Sequence, residues 1–188
     1  MKTVKLNNGI EMPVLGLGTF LSNDPAVCEQ SVVDAISLGY RLIDTAQGYG
    51  NEEHIGRAIA RCGVPREELF ITTKVWFRNY GNTRVSVEES MRKLQTDYLD
   101  LVLLHWPFGD TYAAWRVLEE LYAEGKIRAI GVSNYTADRL VDLVNYNKVV
   151  PAVNQVETNL VSQQKDVRTW MDKLGVQHMG YAPFGQGK

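Results

Sequence analysis

Cysteine is scarce: Cys28 and Cys62 are the only two in 188 residues. Both fall on apolar helix faces and read as small core residues, so neither a disulfide framework nor a metal centre is expected. Charge of either sign is not in excess. Lysine and arginine number 20 against 22 acids, a formal net charge of −2. Nothing there suggests nucleic acid, and no polybasic or acidic tail is present. Long apolar runs are missing too, since none approaches the roughly 20 residues of a membrane span. The stretch Met1 to Gly9 lacks the apolar core of a signal peptide. Linkers and low-complexity segments are absent. These absences leave a soluble cytoplasmic protein as the expectation, with no membrane or nucleic-acid partner. A composition 45% hydrophobic and 22% charged suffices for one domain, residues 1–188, with a sizeable core.

What is present is a strict alternation. Asn8-Gly9 between Thr3–Leu6 and Ile10–Val14 is the strongest short hairpin signal. A short apolar strand follows at Val14–Gly18, and Asp24-Pro25 opens a helix with Cys28, Val32, Ala35 and Ile36 on one stripe before Gly39. Strand then helix recurs: Tyr40–Asp44, Leu69–Lys74, Leu99–Leu104, Ile127–Val132 and Ala152–Val156 each precede a helical pattern. The last of these helices carries Val167, Trp170, Met171 and Leu174, and a final strand runs from Val176 to Ala182. Such alternation predicts parallel strands with right-handed crossovers. An open doubly wound sheet would want a glycine-rich phosphate loop after its first strand. Gly16-Leu17-Gly18-Thr19-Phe20-Leu21 has no third glycine entering a helix. The hairpin and the strand count favour the closed (β/α)8 barrel of TIM type. That barrel typically takes about 250 residues, so it is expected to be incomplete, with the eighth strand and helix absent.

The ends of these strands are not apolar. Strand by strand they carry Asp44, Lys74, His105, Ser133-Asn134, Gln155 with Glu157, and Tyr181, all of which a parallel barrel turns to one face. Between Asp44 and a helix whose cap reads as Asn51, with Glu52 and Glu53 in its first turn, lies Tyr49 in a glycine-flexed loop. Singly, each has a plainer reading: Asp44 as a turn residue, Tyr49 as a half-buried aromatic, His105 as a core histidine, Asn134 as a cap, Gln155 as a partner for backbone. Lys74 is harder to dismiss, because a buried ammonium needs a partner and Asp44 is on the neighbouring strand. A phenol of pKa about 10 is a poor acid at neutral pH, and a nearby ammonium favours its phenolate. With an imidazole N–H to orient a carbonyl oxygen, the set suits protonation of that oxygen while a cofactor delivers hydride to carbon.

These residues lie in motifs that resemble the aldo-keto reductases: Asp44-Thr45-Ala46 with Tyr49 and Asn51-Glu52; Ile71 to Trp76; Asp97 to Leu101 leading to His105-Trp106-Pro107; Gly125 to Arg128 leading to Gly131-Val132-Ser133-Asn134; and Asn154 to Glu157. The resemblance covers nearly the whole chain through the seventh barrel strand. It implies a catalytic tetrad of Asp44, Tyr49, Lys74 and His105, with Tyr49 as general acid. It also implies NADP(H) as cofactor, by family habit, with NAD(H) left open. Ser133, Asn134 and Gln155 would hold the nicotinamide carboxamide, Tyr181 would stack on the ring, and Gly18, Thr19 and Asp44 would lie beside it. Phe20, Trp76 and Trp106 would wall the substrate with His105; core packing is the plainer reading of these aromatics. The substrate would be a small aldehyde or ketone. Two departures stand out. Thr158-Asn159 replaces a histidine-proline pair common in relatives, and the pyrophosphate loop expected within Gly185-Gln186-Gly187 and the basic loop beyond it are cut short. Full-length relatives are often monomeric, whereas open first and last strands favour self-association here. The competing expectations are a non-catalytic cofactor-binding or inactive relative and a Schiff-base lyase on Lys74, which a carboxylate beside the ammonium argues against.

Overall fold

The computed structural model describes residues 1–185, so Gln186 and Gly187 of the expected pyrophosphate loop lie outside the described residues. Two short strands, β1 (Thr3–Lys5) and β2 (Glu11–Pro13), form the antiparallel hairpin, with Thr3 opposite Pro13. Seven strands then make one sheet: β3 (Gly16–Gly18), β4 (Leu42–Asp44), β5 (Phe70–Val75), β6 (Leu101–Leu104), β7 (Ile130–Ser133), β8 (Val153–Glu157) and β9 (Gln177–Tyr181). Six helices alternate with them: α1 (Pro25–Ser37), α2 (Glu52–Arg61), α3 (Thr83–Leu94), α4 (Thr111–Ala123), α5 (Ala137–Tyr146) and α6 (Lys165–Leu174). Sheet order equals chain order from β3 to β9, and every pair is parallel. A doubly wound sheet reverses its winding at a switch point; this one never does. The architecture is the nearly closed parallel barrel, and β3 and β9 are the edges of its sheet among the described residues.

Burial on both faces explains why the strands read as unbroken apolar runs. All six residues of β5 and all four of β6 are buried. The outward set, including Ile43, Ile71, Val102 and Leu104, packs under the helices with Cys28, Val32, Ile55 and Trp115. The inward set alternates with it. Leu42, Phe70, Leu101, Leu103 and Val153 fill the barrel's amino-terminal end, which the hairpin closes with Leu6 and Met12. The same inward rows continue at the other end as Asp44, Lys74, His105 and Gln155. The period of two thus carries a greasy interior into a polar mouth.

Several boundaries and contacts differ from expectation. Strand β4 begins at Leu42 rather than Tyr40, because the Tyr40 N–H bonds back to Ala35 O and completes the end of α1. Before β7, Ile127 makes only an isolated bridge to Leu99. Trp170 is 40% exposed with the Lys173 ammonium 4.5 Å from its ring centroid, and Met171 is the buried residue of α6. Cys28 is buried and Cys62 half-buried, both with free thiols. Thr158 and Asn159 make a tied turn: Thr158 Oγ1 lies 2.9 Å from His178 Nε2, and Asn159 Oδ1 accepts from the backbone of Val161 and Ser162. Among the described residues no helix is long and apolar enough to cross a membrane.

Candidate active site

The polar mouth is assembled by neighbouring strands. Parallel register sets Asp44 at the end of β4 opposite Thr72, two residues before Lys74 on β5. The Lys74 ammonium, fully buried, donates to Asp44 Oδ1 at 2.5 Å, to the Thr45 carbonyl at 2.9 Å and to the Tyr49 hydroxyl at 3.4 Å. The other Asp44 oxygen, Oδ2, accepts from Gln155 Nε2 at 2.8 Å, across the barrel from β8. Asp44 is therefore held from two sides, and it holds the lysine. Thr19, directly after β3, seals the arrangement, its N–H and Oγ1 both donating to the Asp44 carbonyl at 3.0 and 3.1 Å.

Burial acts on these charges in opposite senses. Alone it would lower Lys74, but Asp44 and then Tyr49 more than reverse it, and the ammonium is held above its ordinary range. The carboxylate beside it favours the protonated form, which argues against Lys74 as a Schiff-base nucleophile. For Tyr49 burial is the largest influence and pushes the phenol above 10.0; Lys74 pulls it down, while Asp44 adds to the rise. The lysine's effect has the expected sign, yet the net direction is opposite to the expected acidification, because desolvation of the phenolate outweighs it. Burial, then the Lys74 charge, lowers the His105 imidazole from 6.5 to about 3. It is a neutral ring whose buried Nδ1 has no hydrogen-bond partner among the described residues.

A belt of rings surrounds Tyr49. Phe20 stands 5.1 Å from it, and His105 meets it edge-on at 5.7 Å. Trp76 meets His105 edge-on at 5.2 Å, while Trp106 lies nearly parallel to His105 at 6.2 Å. Phe20 is 55% exposed, so core packing does not account for it. Two rings outside the expected substrate wall complete the belt: Phe77 against Trp76 and Phe108 stacked on Trp106 at 5.5 Å. Phe77 directly follows the Lys74-Val75-Trp76 motif, and that adjacency was the available signal.

On the other side, the residues expected to bind the carboxamide form one connected shelf. Ser133 Oγ and the Asn134 N–H both donate to the Gln155 carbonyl at 2.9 Å, and Asn134 Nδ2 donates to the His105 carbonyl at 3.1 Å. Asn134 sits in the left-handed region at φ 62°, a conformation asparagine tolerates better than most residues. The Tyr181 hydroxyl donates to Asn134 Oδ1 at 2.9 Å, which fixes the ring at the end of β9. Gly18 ends β3 opposite Asp44, and a Cβ added there would meet no atom within 4 Å. Asn51 is not the side-chain cap its position suggested. Its amide accepts from Thr45 Oγ1 at 2.8 Å and donates to the Thr19 carbonyl at 2.8 Å, tying the β4 loop to the β3 loop.

Residues 14–188 match the sequence profile of the Aldo/keto reductase family. The glyoxal reductase of Bacillus subtilis (strain 168) is 48% identical over 189 residues, spanning 99% of this chain and 68% of its own length. The methylglyoxal reductase DkgA of Escherichia coli (strain K12) is 40% identical over 187 residues, spanning 98% and 68%. A crystal structure of a Bombyx mori aldo-keto reductase in complex with NADP superposes with a TM-score of 0.94 at 35% identity, over 98% of this chain and 67% of that one. The chain thus spans about two thirds of the length of these proteins.

Proposed function

The chain belongs to the aldo/keto reductase family, and on that premise we propose that its barrel, one unit over residues 1–188, reduces the carbonyl of a small aldehyde or ketone with NADPH, Tyr49 giving the proton. The observation that carries this reading is the buried chain from Asp44 through Lys74 to the Tyr49 hydroxyl, at 2.5 and 3.4 Å. A nicotinamide fits the residues beside it. Ser133, Asn134 and Gln155 offer amide and hydroxyl groups for its carboxamide, the Tyr181 ring is held for stacking, and the space over Gly18 lets a ligand approach backbone. When bound, the cofactor supplies hydride to the carbonyl carbon.

The chain's own residues do the rest. His105 is neutral, so it orients the carbonyl oxygen as an uncharged imidazole and adds no positive charge to compete with Lys74. The phenol donates its proton to that oxygen as negative charge develops there, and the Lys74 ammonium steadies the phenolate left behind. Phe20, Trp76 and Trp106 shield the site from water and so strengthen these interactions. Two similar proteins are named for glyoxal and methylglyoxal, which makes small dicarbonyls the substrates to test first. Tyr49→Phe removes one hydroxyl. Loss of a positioned acid costs roughly 10²–10⁴-fold, so NADPH oxidation with methylglyoxal should fall by that much. NADPH should still quench tryptophan fluorescence with nearly unchanged affinity. Retained turnover in the variant would take the acid role from Tyr49.

A further inference from the structure

We infer that Gln47, together with Gly48, is a positioning element that sets where the Trp76 indole stands relative to Tyr49, and so which carbonyl compounds reach the acid. This rests on the reductase reading above. Gln47 and Tyr49 share one 3₁₀ turn, Gln47–Tyr49, so whatever holds the first holds the second. The Gln47 amide makes four hydrogen bonds, the full number such a side chain can make at ordinary geometry. Oε1 accepts from the Trp76 backbone N–H at 3.0 Å and from Asn79 Nδ2 at 2.9 Å. Nε2 donates to the Ser86 carbonyl at 2.9 Å and to Ser90 Oγ at 3.1 Å. The amide can face only one way, because a backbone N–H must donate and a carbonyl must accept. One side chain therefore ties the acid's turn to the residue after β5 and to two successive turns of α3.

Gly48 completes the brace. A Cβ there would lie 2.8 Å from Trp76 Cε3 and 3.2 Å from two further ring atoms, so the indole rests directly on the glycine. Gly48 has no positive φ, and space alone forbids a side chain. Trp76 is thus fixed at its backbone by Gln47 and at its ring by Gly48, and the fixed ring stands edge-on to His105 at 5.2 Å. A surface glutamine with one partner would be a packing detail. Here both ends of the clamp belong to the site, one bearing the proton donor and the other the substrate wall.

The test compares Gln47→Ala, Gln47→Glu and Gly48→Ala with wild type, using two probes that share a dicarbonyl head, methylglyoxal and phenylglyoxal. A second readout needs neither substrate nor cofactor: fluorine NMR of protein carrying 5-fluorotryptophan, with Trp76 assigned by Trp76→Phe. Gly48→Ala should displace the Trp76 resonance and leave that of the core residue Trp115 in place. A mismatch of one methylene between a substrate and an apolar wall is worth roughly 10–200-fold in discrimination. The ratio of kcat/KM for the two probes should therefore shift by about tenfold or more, through KM rather than kcat. Gln47→Ala should broaden the Trp76 resonance and draw the ratio toward one. Gln47→Glu keeps both acceptor contacts and loses both donors, and should fall between. If Gly48→Ala fails to fold, the Gln47 pair carries the test. An unmoved Trp76 resonance in the folded variants overturns the brace, and a moved resonance with an unchanged ratio overturns its role in specificity. A wild type that reduces neither probe defeats the reductase reading and the specificity claim with it, while the fluorine spectra still decide the brace.

Discussion

A buried charge is tolerable only while its partner remains, and at Lys74 and Asp44 the two sides of that bargain are unequal. Lys74→Met leaves Asp44 with a donor, Gln155 Nε2, and with some access to water. Asp44→Asn leaves a fully buried ammonium without its counter-charge. Breaking a buried pair from that side costs about 3–5 kcal/mol, so Asp44→Asn should be the less stable variant in urea. Turnover should run in the opposite order, with Lys74→Met the more damaged, because the asparagine leaves the ammonium beside Tyr49. One order for both measurements would show that stability and chemistry are not separated in this pair. His105 supplies a pH prediction. Its folded pKa of about 3 lies below the unfolded 6.5, so the native state binds fewer protons. The stability it contributes is complete above about pH 6.5 and is lost as pH falls toward 3. Unfolding free energy should drop more steeply across that window in wild type than in His105→Gln. Asp44, Lys74 and His105 were legible in the sequence because a polar residue closing an apolar run must be paired or exposed. The net direction at Tyr49 was not, since it depends on how deeply the phenol is desolvated, which no spacing reports.

At the level of elements, the start of α2 shows how a local rule can name the right residue for the wrong reason. Asparagine before an acidic first turn reads as a cap, yet Asn51 is buried and bridges two loops instead. The two roles separate cleanly by substitution. Asp caps a helix as well as Asn does, but it cannot donate to the Thr19 carbonyl. Asn51→Asp should therefore destabilise the fold by about 1–3 kcal/mol, the cost of leaving a buried acceptor unpaired beside a new buried charge. A thermal midpoint equal to wild type would return Asn51 to the capping role. The bridge to Thr19 spans 32 residues of chain and that of Gln47 to Ser90 spans 43, so no local window contains both partners. By contrast Asp24, whose carboxylate accepts from the Val27 N–H at 2.9 Å, is a cap by the same rule and could be read correctly.

Across the whole molecule, the two ends of the barrel have different work. Opposite the mouth, the fully buried Asp100 accepts from Arg128 at 2.6 Å and from the Ile71 N–H at 2.9 Å, and pairs with the Arg66 guanidinium at 2.8 Å, joining strands β5 and β6 to the segment before β7. Conserving shape but not charge, Asp100→Asn should cost about 3 kcal/mol in unfolding free energy. NADPH affinity measured on the folded protein should not change. A shift in affinity as large as the loss of stability would mean that the ends are coupled. The alternation of strand and helix made the barrel readable, since each period-two strand and amphipathic helix announces itself locally. The exposure of Trp170 was not readable, because it depends on how α6 sits against α5 and β9 rather than on the helix's own pattern.

A lysine has three hydrogens to give, and those of Lys74 are all engaged by Asp44, Thr45 and Tyr49. The phenol oxygen is therefore the receiver in its contact with the ammonium, and the phenol's own hydrogen is left for another partner. The contact has a built-in polarity: the ammonium gives, the phenol oxygen receives, and the phenol's hydrogen is kept for a different acceptor. Replacing the lysine by a side chain with no hydrogen to offer removes that constraint, and the hydroxyl can turn its hydrogen into the space the ammonium held.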